Sequence, residues 1–237
     1  MITPEKPIRP IRSFVIREGR MTNGQKRAIE EFWSAYGLSV KDSASPISFE
    51  ACFGRVAPTI LEIGFGDGGA LFQMARRYPQ KNFIGVEVHR PGVGKLLVDV
   101  HNDDLKNVRV FCEDGNEVLA SAIADSSLQG VNLFFPDPWH KKKHNKRRIL
   151  QPHFIELVKS KLEVDGYFHF ASDWEPYALE ALELLDNTIG LVNVAGRGSF
   201  SPRPDTRPLT KFEKRGQRLG HGVWDIVMTK PAVSSRM

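Results

Sequence analysis

Cysteine is scarce in this chain, which has two such residues among 237, and neither lies in a CxxC or CxxH pattern. Cys52 and Cys112 are far apart in sequence, and Cys112 belongs to an apolar run typical of a strand. Both features predict reduced thiols rather than a disulfide framework. No metal site is predicted, because the sequence offers no spacing typical of metal ligands.

Long apolar runs are also missing from the chain. No stretch is long enough to span a bilayer, and the first residues include Pro4, Lys6 and Pro7 instead of the apolar segment of a secretory signal. We therefore expect a cytoplasmic protein with no membrane association. No internal repeat is visible, and nothing in the sequence indicates an obligatory protein partner.

Positive charge is present and unevenly distributed. The net charge is +5 and the isoelectric point is near 9.2, which alone would be weak evidence for a polyanionic partner. The cations concentrate at the N-terminus, in a run directly after Trp139, and between Arg203 and Arg218. Such clusters favour binding to nucleic acid.

The pattern of apolar residues predicts an α/β fold. Apolar positions in 23–36 recur at helical spacing up to Gly37, and later segments alternate between short apolar runs and helical periods. Strands that alternate with helices indicate crossover units and a mainly parallel sheet. Residues 1–21, rich in proline and arginine, are predicted to be a flexible basic arm, and residues 22–237 a single domain. The predicted strands are 59–64, 83–88, 108–112, 131–135, 167–171, 192–194 and 223–228.

A glycine-rich turn follows the first predicted strand of the alternating region. Gly64, Gly66 and Gly69 match G-x-G-x-x-G, so a dinucleotide site has to be considered. Glu62 lies just before the turn, where a carboxylate would oppose a pyrophosphate but suit a cationic cofactor such as S-adenosylmethionine. Glu87, at the end of the next strand, could hold a ribose diol in either case.

A third acidic segment ends the following strand, where Asp114 and the nearby Asn116 could receive the adenine end of that cofactor. Acids at the ends of three successive strands would line the edge where open α/β sheets bind ligands. The alternative interpretation is that Glu62 or Asp114 caps a helix.

The most informative stretch is FPDPWHKK at residues 135–142. Here Asp137 lies between two prolines, at the end of an apolar strand and beside Trp139, an arrangement that suits a planar heterocycle. The basic run that follows suits a polyanion carrying that heterocycle. The predicted RNA-contacting residues of this run are Lys142, Lys143, Lys146, Arg147 and Arg148; a solvated basic loop is the alternative.

These motifs resemble those of the tRNA (guanine-N7)-methyltransferases. The resemblance extends from about Glu62 to the C-terminus and includes EIGFG at 62–66, GVE at 85–87, FPDPWHKK at 135–142, Ser172–Asp173, RPLTKFEKRG at 207–216 and GHGVWD at 220–225. The glycine motif is common to many methyltransferases, whereas the proline-flanked aspartate and TKFE are specific. The resemblance implies a Rossmann-like class I methyltransferase fold, with a seven-stranded, mainly parallel sheet, a C-terminal antiparallel strand and helices on both faces.

The resemblance also implies an activity: methyl transfer from S-adenosylmethionine to N7 of a guanine in the variable loop of tRNA. By matching positions, Asp137 would be catalytic and also near the cofactor. The remaining cofactor residues would be Glu62, Gly64, Gly66, Glu87, Asp114 and Asn116, and the tRNA-contacting residues would be Lys141, Asp173, Thr210, Lys211, Phe212 and Glu213.

Two other functions fit parts of the sequence. A nicotinamide-dependent dehydrogenase would use the glycine turn, although Glu62 and the Asp137 motif argue against it. An RNA-binding module without activity would keep the sheet, although the row of acids argues against that. For single residues, Asp173 could instead cap the next helix, and the segment 210–213 could instead brace the last strands.

Overall fold

The apolar runs of the sequence form one sheet in the computed structural model, which describes residues 20–42, 46–209, 213 and 222–232. Within these ranges the sheet has eight strands. The strands, in chain order, are β1 (Gly37–Leu38), β2 (Thr59–Ile63), β3 (Asn82–Val86), β4 (Val108–Phe111), β5 (Leu128–Phe134), β6 (Leu162–Ser172), β7 (Val192–Asn193) and β8 (Trp224–Thr229).

The strand order across the sheet is β1-β4-β3-β2-β5-β6-β8-β7. The pairs from β1 to β6 are parallel, whereas β8 runs antiparallel to both β6 and β7. The predicted mainly parallel sheet with a C-terminal antiparallel strand is therefore confirmed. The predicted seven strands omit β1, which has only two residues.

Helices cover both faces of the sheet, as predicted. They are α1 (Asn23–Tyr36), α2 (Phe49–Phe53), α3 (Gly69–Arg77), α4 (Arg90–Asn102), α5 (Gly115–Ser121), α6 (Pro152–Lys161) and α7 (Glu175–Asp186), with 3-10 helices at Val40–Asp42 and Lys142–Arg147. One core cluster joins the sheet to α5, α6 and α7, and the other joins it to α1, α3 and α4.

Helix α1 shows how local sequence sets an element boundary. Thr22 accepts a hydrogen bond from the Gln25 amide, and the Gln25 side chain accepts one from the Thr22 amide, which completes a capping box. Helix α2 is bounded by Ser48, whose hydroxyl accepts from the Ala51 amide, and by Gly54, with a φ of 68°.

Two features bear on the sequence predictions of location and domains. None of the helices in the described ranges combines the length and apolar character needed to cross a bilayer. Residues 1–19 lie outside the described residues, and so does most of the predicted basic arm.

Candidate active site

The glycine turn connects β2 to α3 and opens onto a cavity. Gly64, Gly66 and Gly68 have φ angles of 72°, 61° and 79°, a region that side chains other than glycine rarely adopt. A Cβ atom on Gly64 or Gly66 would meet no atom within 4 Å. The turn therefore presents bare backbone to open space, as a closely approaching ligand requires.

Carboxylates of the protein already accept hydrogen bonds from backbone amides of this turn. The Gly66 amide donates to Glu87 Oε2 at 2.8 Å, and the Gly69 amide donates to Asp67 Oδ1 at 3.1 Å. Glu87 Oε1 also accepts from the amides of Val88 and His89, at 2.7 and 2.9 Å. A pyrophosphate would have to displace these anions, so the geometry argues against the dehydrogenase alternative.

Glu62 is buried in the centre of the sheet. Its side chain is 2% exposed, and its Oε2 atom has no hydrogen-bond partner in the part of the chain that the structure describes. Burial, and then the negative charge of Glu87, raise the pKa of Glu62 to about 8. A buried carboxyl with an unpaired oxygen suits a cationic ligand, which would stabilise its ionised form. The predicted role of Glu62 thus has a physical basis in the structure.

Asp114 caps a helix in the structure. Its Oδ1 atom accepts from the Asn116 amide at 2.8 Å, at the start of α5. The capping interpretation is therefore realised at this position, and the second carboxylate oxygen is the one that could receive an adenine amino group. The Oδ1 atom of Asn116 is buried and has no partner among the described residues.

Glu113 has a structural partner that the sequence did not reveal. Its carboxylate accepts from the Ser39 hydroxyl and the Val40 amide, both at 2.9 Å. This fixes the segment after β1 to the end of β4, beside the cavity that Glu113 lines. A contact between residues more than seventy positions apart leaves no local signal in the sequence.

The cavity itself lies at the carboxyl ends of β2, β3, β4 and β5. Its volume is about 420 Å³, within the range of small-molecule sites. Gly64, Glu87, Glu113 and Asp137 are among its lining residues. The structure thus brings the glycine turn, an acid that follows β3 and the proline-flanked aspartate to one cavity, at the edge where open α/β sheets bind ligands.

The turn that carries Asp137 has an unusual backbone. Phe135 and Trp139 have φ angles of 51° and 46°, although neither is glycine. Such conformations cost about 1–3 kcal/mol each and persist where the surrounding structure imposes them. The Phe135 amide donates to the carbonyl of Ala171 in β6 at 2.8 Å, and the Trp139 amide donates to Asp137 Oδ1 at 3.0 Å. One carboxylate oxygen is therefore held in place.

Arg148 requires a correction. The sequence placed it among the RNA-contacting residues, but the structure buries it, with 4% exposed. Its Nε atom donates to the carbonyl of Pro138 at 2.8 Å, and its guanidinium pairs with Glu180 in α7. Because its guanidinium is paired within the protein, Arg148 supports the Asp137 turn and is not available to bind a phosphate of the RNA.

The rest of the basic run faces outward. Lys141, Lys142, Lys143 and Lys146 are exposed, the last three on a 3-10 helix. Arg147 is half-buried, with its guanidinium 5.0 Å from the centre of the Trp139 ring. This surface adjoins the Asp137 turn directly.

The predicted substrate residues fall in different places. Asp173 directly follows β6 and is half-buried; α7 starts without a side-chain cap, so Asp173 is not a helix cap. Thr210, Lys211 and Phe212 lie outside the described residues. Glu213 is 2% exposed and forms an ion pair with Arg207, 2.6 Å between Oε2 and Nη1. Its prediction as an RNA contact is corrected, because its carboxylate faces a buried guanidinium.

Comparison with known proteins agrees with these observations. A family model described as putative methyltransferase matches residues 56–226. The chain is 52% identical over 235 residues to a tRNA (guanine-N(7)-)-methyltransferase of Pectobacterium atrosepticum, and 53% identical to one of Serratia proteamaculans; each match covers 97% of this chain and 98% of the relative.

A solved structure resembles the fold. The 16S rRNA methyltransferase KamB superposes with a TM-score of 0.55 at 13% identity, over 78% of this chain and 93% of the other. That likeness concerns the fold alone. The sequence identity over nearly the full length shows more than the fold: the chain belongs to the tRNA (guanine-N7)-methyltransferase family.

Proposed function

We propose that this protein transfers a methyl group from S-adenosylmethionine to N7 of a guanine in the variable loop of tRNA, giving 7-methylguanosine. The observation that carries the proposal is the position of Asp137, on a rigid turn at the rim of a cavity next to an open glycine turn. We propose further that it acts in the cytoplasm and without an obligatory protein partner.

The predicted cofactor residues suit S-adenosylmethionine, although only Gly64, Glu87 and Asp137 of them line the cavity, and the others lie one or two positions from lining residues in the sequence. Gly64 and Gly66 leave room for its amino acid portion, and the ionised form of Glu62 would favour its positive charges. We assign the ribose diol to Glu87, which lines the cavity, and the adenine to Asp114 and Asn116, at the start of α5. When bound, this cofactor supplies an electrophilic methyl group on a sulfonium.

The chemistry at guanine makes modest demands on the protein. N7 already has a lone pair, so no proton has to leave before it attacks. The protein has to align the nitrogen with the methyl group and stabilise the positive charge that develops on the purine. A carboxylate about 4 Å from that charge, at an effective dielectric constant of about 20, would contribute roughly 4 kcal/mol before desolvation is subtracted. Asp137 provides this carboxylate, and it could also accept from the guanine N1 or amino group.

Selection of tRNA would come from the exposed basic surface. Lys141, next to the Asp137 turn, is placed to meet a phosphate or guanine O6, and Asp173 lies at the same edge of the sheet, after β6. The residues Lys142, Lys143, Lys146 and Arg147 would neutralise phosphates farther along the chain of the RNA.

Binding of tRNA should weaken steeply with salt. Five phosphate contacts by Lys141, Lys142, Lys143, Lys146 and Arg147 predict a log–log slope of about −3.5 to −4.5. Replacing Lys142 and Lys143 by glutamine should make that slope less negative by about 1.4–1.8. Fluorescence anisotropy of labelled tRNA between 50 and 200 mM salt would measure it. Lys106→Gln, an exposed change before β4 at the opposite end of the sheet, serves as the control and should leave the slope unchanged.

The activity can be tested directly by incubating the protein with bulk tRNA and S-adenosylmethionine labelled in its methyl group, followed by nucleoside analysis. We expect label in 7-methylguanosine. A tRNA transcript made with 7-deazaguanosine, in which carbon replaces N7, should accept no label, because it lacks the attacking lone pair. Label in any other nucleoside, or equal labelling of the 7-deaza transcript, would overturn the proposal.

A further inference from the structure

A buried cluster of charged residues lies behind the Asp137 turn. It consists of Arg207, Glu213, Asp225 and His169, all at most 3% exposed. Arg207 Nε and Nη2 donate to the two oxygens of Asp225, at 2.7 and 2.8 Å, and Nη1 and Nη2 donate to the two oxygens of Glu213, at 2.6 and 3.1 Å. His169 Nε2 lies 2.7 Å from Asp225 Oδ1. One guanidinium therefore holds two carboxylates in a planar fork.

The charges of this cluster depend on one another. Burial alone would lower the pKa of Arg207, but the hydrogen bonds that it donates to the carboxylates of Glu213 and Asp225 raise it. Burial alone would raise the pKa of Asp225, but the hydrogen bonds of His169 and Arg207 lower it. Without Arg207, the buried carboxylates of Asp225 and Glu213 would lose the cation that they share, which is strongly unfavourable.

The cluster also contacts the catalytic turn. The Arg207 guanidinium lies 5.5 Å from the centre of the Phe135 ring, within the range of a cation–π interaction. Phe135 is the residue of positive φ that begins the turn, and its amide is bonded to Ala171, the strand partner of Asp225. The cluster thus packs against the backbone that fixes the direction of Asp137.

The same guanidinium fixes both ends of a segment with predicted substrate residues. Arg207 and Glu213 are six positions apart, and Thr210, Lys211 and Phe212 lie between them in the sequence. The ion pair of the two flanking residues is buried, and its guanidinium also contacts Phe135 at the start of the Asp137 turn. The ion pair therefore has a consequence for binding as well as for stability.

We infer that Arg207 is a positioning residue, which holds the Asp225 and Glu213 carboxylates against the Phe135 end of the Asp137 turn and so aligns the Asp137 carboxylate with the target guanine. The inference rests on the proposed function and deepens it, since it assigns to a buried arginine the geometry of the tRNA-binding side of the site. The proposed role of Arg207 does not involve the glycine turn or the carboxylates assigned to the cofactor.

The test compares Arg207→Met and Arg207→Lys with the wild-type enzyme. For both variants we expect kcat/KM for tRNA to fall by about 100-fold, the cost of a small misplacement of the reacting groups, while affinity for S-adenosylhomocysteine stays within about threefold. Lysine should not rescue, because a single ammonium cannot reproduce the fork to two carboxylates. Rates are normalised to the concentration of sites that bind S-adenosylhomocysteine, so that unfolded protein does not count.

A matched control separates positioning from stability. Lys161→Met removes another buried cation, whose Nζ atom lies 2.7 Å from Asp125 Oδ1, at the opposite end of β6. This variant should unfold more easily but keep the wild-type kcat/KM per binding site. If Arg207→Met behaves in the same way, with normal kinetics and only lower stability, the inference is wrong.

A further variant keeps the test decisive if Arg207→Met does not fold. Glu213→Gln leaves Arg207 paired with Asp225 but weakens its fork to the second carboxylate, so it should lower kcat/KM through the same cluster; wild-type kinetics would overturn the inference. In the double variant Arg207→Met/Glu213→Gln, the loss should not exceed that of Arg207→Met, because the two residues act as a unit. If the losses of the two single variants multiply in the double variant, the two residues have separate roles and the inference is wrong. Failure of the wild-type enzyme to label N7 would instead refute the proposed function.

Discussion

Replacing Asp137 by asparagine is expected to lower the single-turnover rate of tRNA methylation by about 10²–10³-fold, the usual cost of removing one preorganised electrostatic group. Asparagine keeps the shape of the side chain, and its oxygen can still accept from the Trp139 amide, so the turn should survive. What is lost is the negative charge opposite the developing cation. Rapid-quench measurement with saturating S-adenosylmethionine and tRNA isolates this step from product release.

Two further measurements make the Asp137 result specific. Affinity for S-adenosylhomocysteine should change by less than about threefold, because the glycine turn, Glu62 and Glu87 are untouched. Asp165→Asn is the matched control: it makes the same change on an exposed turn of β6, at a φ of 62° that asparagine tolerates. Its rate should equal that of the wild type. A near-normal rate for Asp137→Asn would remove the carboxylate from any electrostatic role.

The elements that sequence reasoning predicted well are those whose signals are local. The bounds of α1 follow from its apolar spacing, from Thr22 and Gln25 in a capping box, and from Gly37 after the last turn. The apolar parts of β2 to β6 are predicted from their runs, but β6 has eleven residues and starts at Leu162, because its polar first half gives no apolar run. By contrast, β1 has two residues and α2 has five, too few for either period to be visible.

The parts of the site that could not be predicted depend on distant partners. In the sequence Arg148 is one cation in a run of cations, and only the approach of Glu180 from α7 distinguishes it. Glu213 is buried against Arg207, whose guanidinium also pairs with Asp225 on β8, and no local pattern encodes this meeting. The positive φ angles of Phe135 and Trp139 even oppose the residue preferences. Such departures from local rules are expected at functional sites.

Glu62 leads to the second large effect, on stability. Its pKa in the folded protein is about 8, against an ordinary value of 4.5. Between these values the folded state holds a proton that the unfolded state has released, so the free energy of unfolding falls as pH rises. Replacement by glutamine, which is neutral at every pH, removes this decrease in the free energy of unfolding. In the absence of ligand, Glu62→Gln should therefore gain up to about 3–5 kcal/mol relative to the wild type between pH 5 and pH 8.

Urea unfolding of both proteins at several pH values, followed by circular dichroism, would measure that gain. The control is Glu30→Gln, an exposed change on α1, for which the difference from the wild type should stay constant with pH. The same carboxyl should couple to the cofactor: an ammonium-bearing ligand near Glu62 lowers its pKa, so binding of S-adenosylhomocysteine at pH 7 should release a proton from the wild type and none from Glu62→Gln. Calorimetry in buffers of different ionisation enthalpy detects this release. Equal pH dependence of unfolding in the two proteins would mean that Glu62 is ionised at its ordinary pKa, and that a charged carboxylate is already stabilised inside the sheet without any ligand.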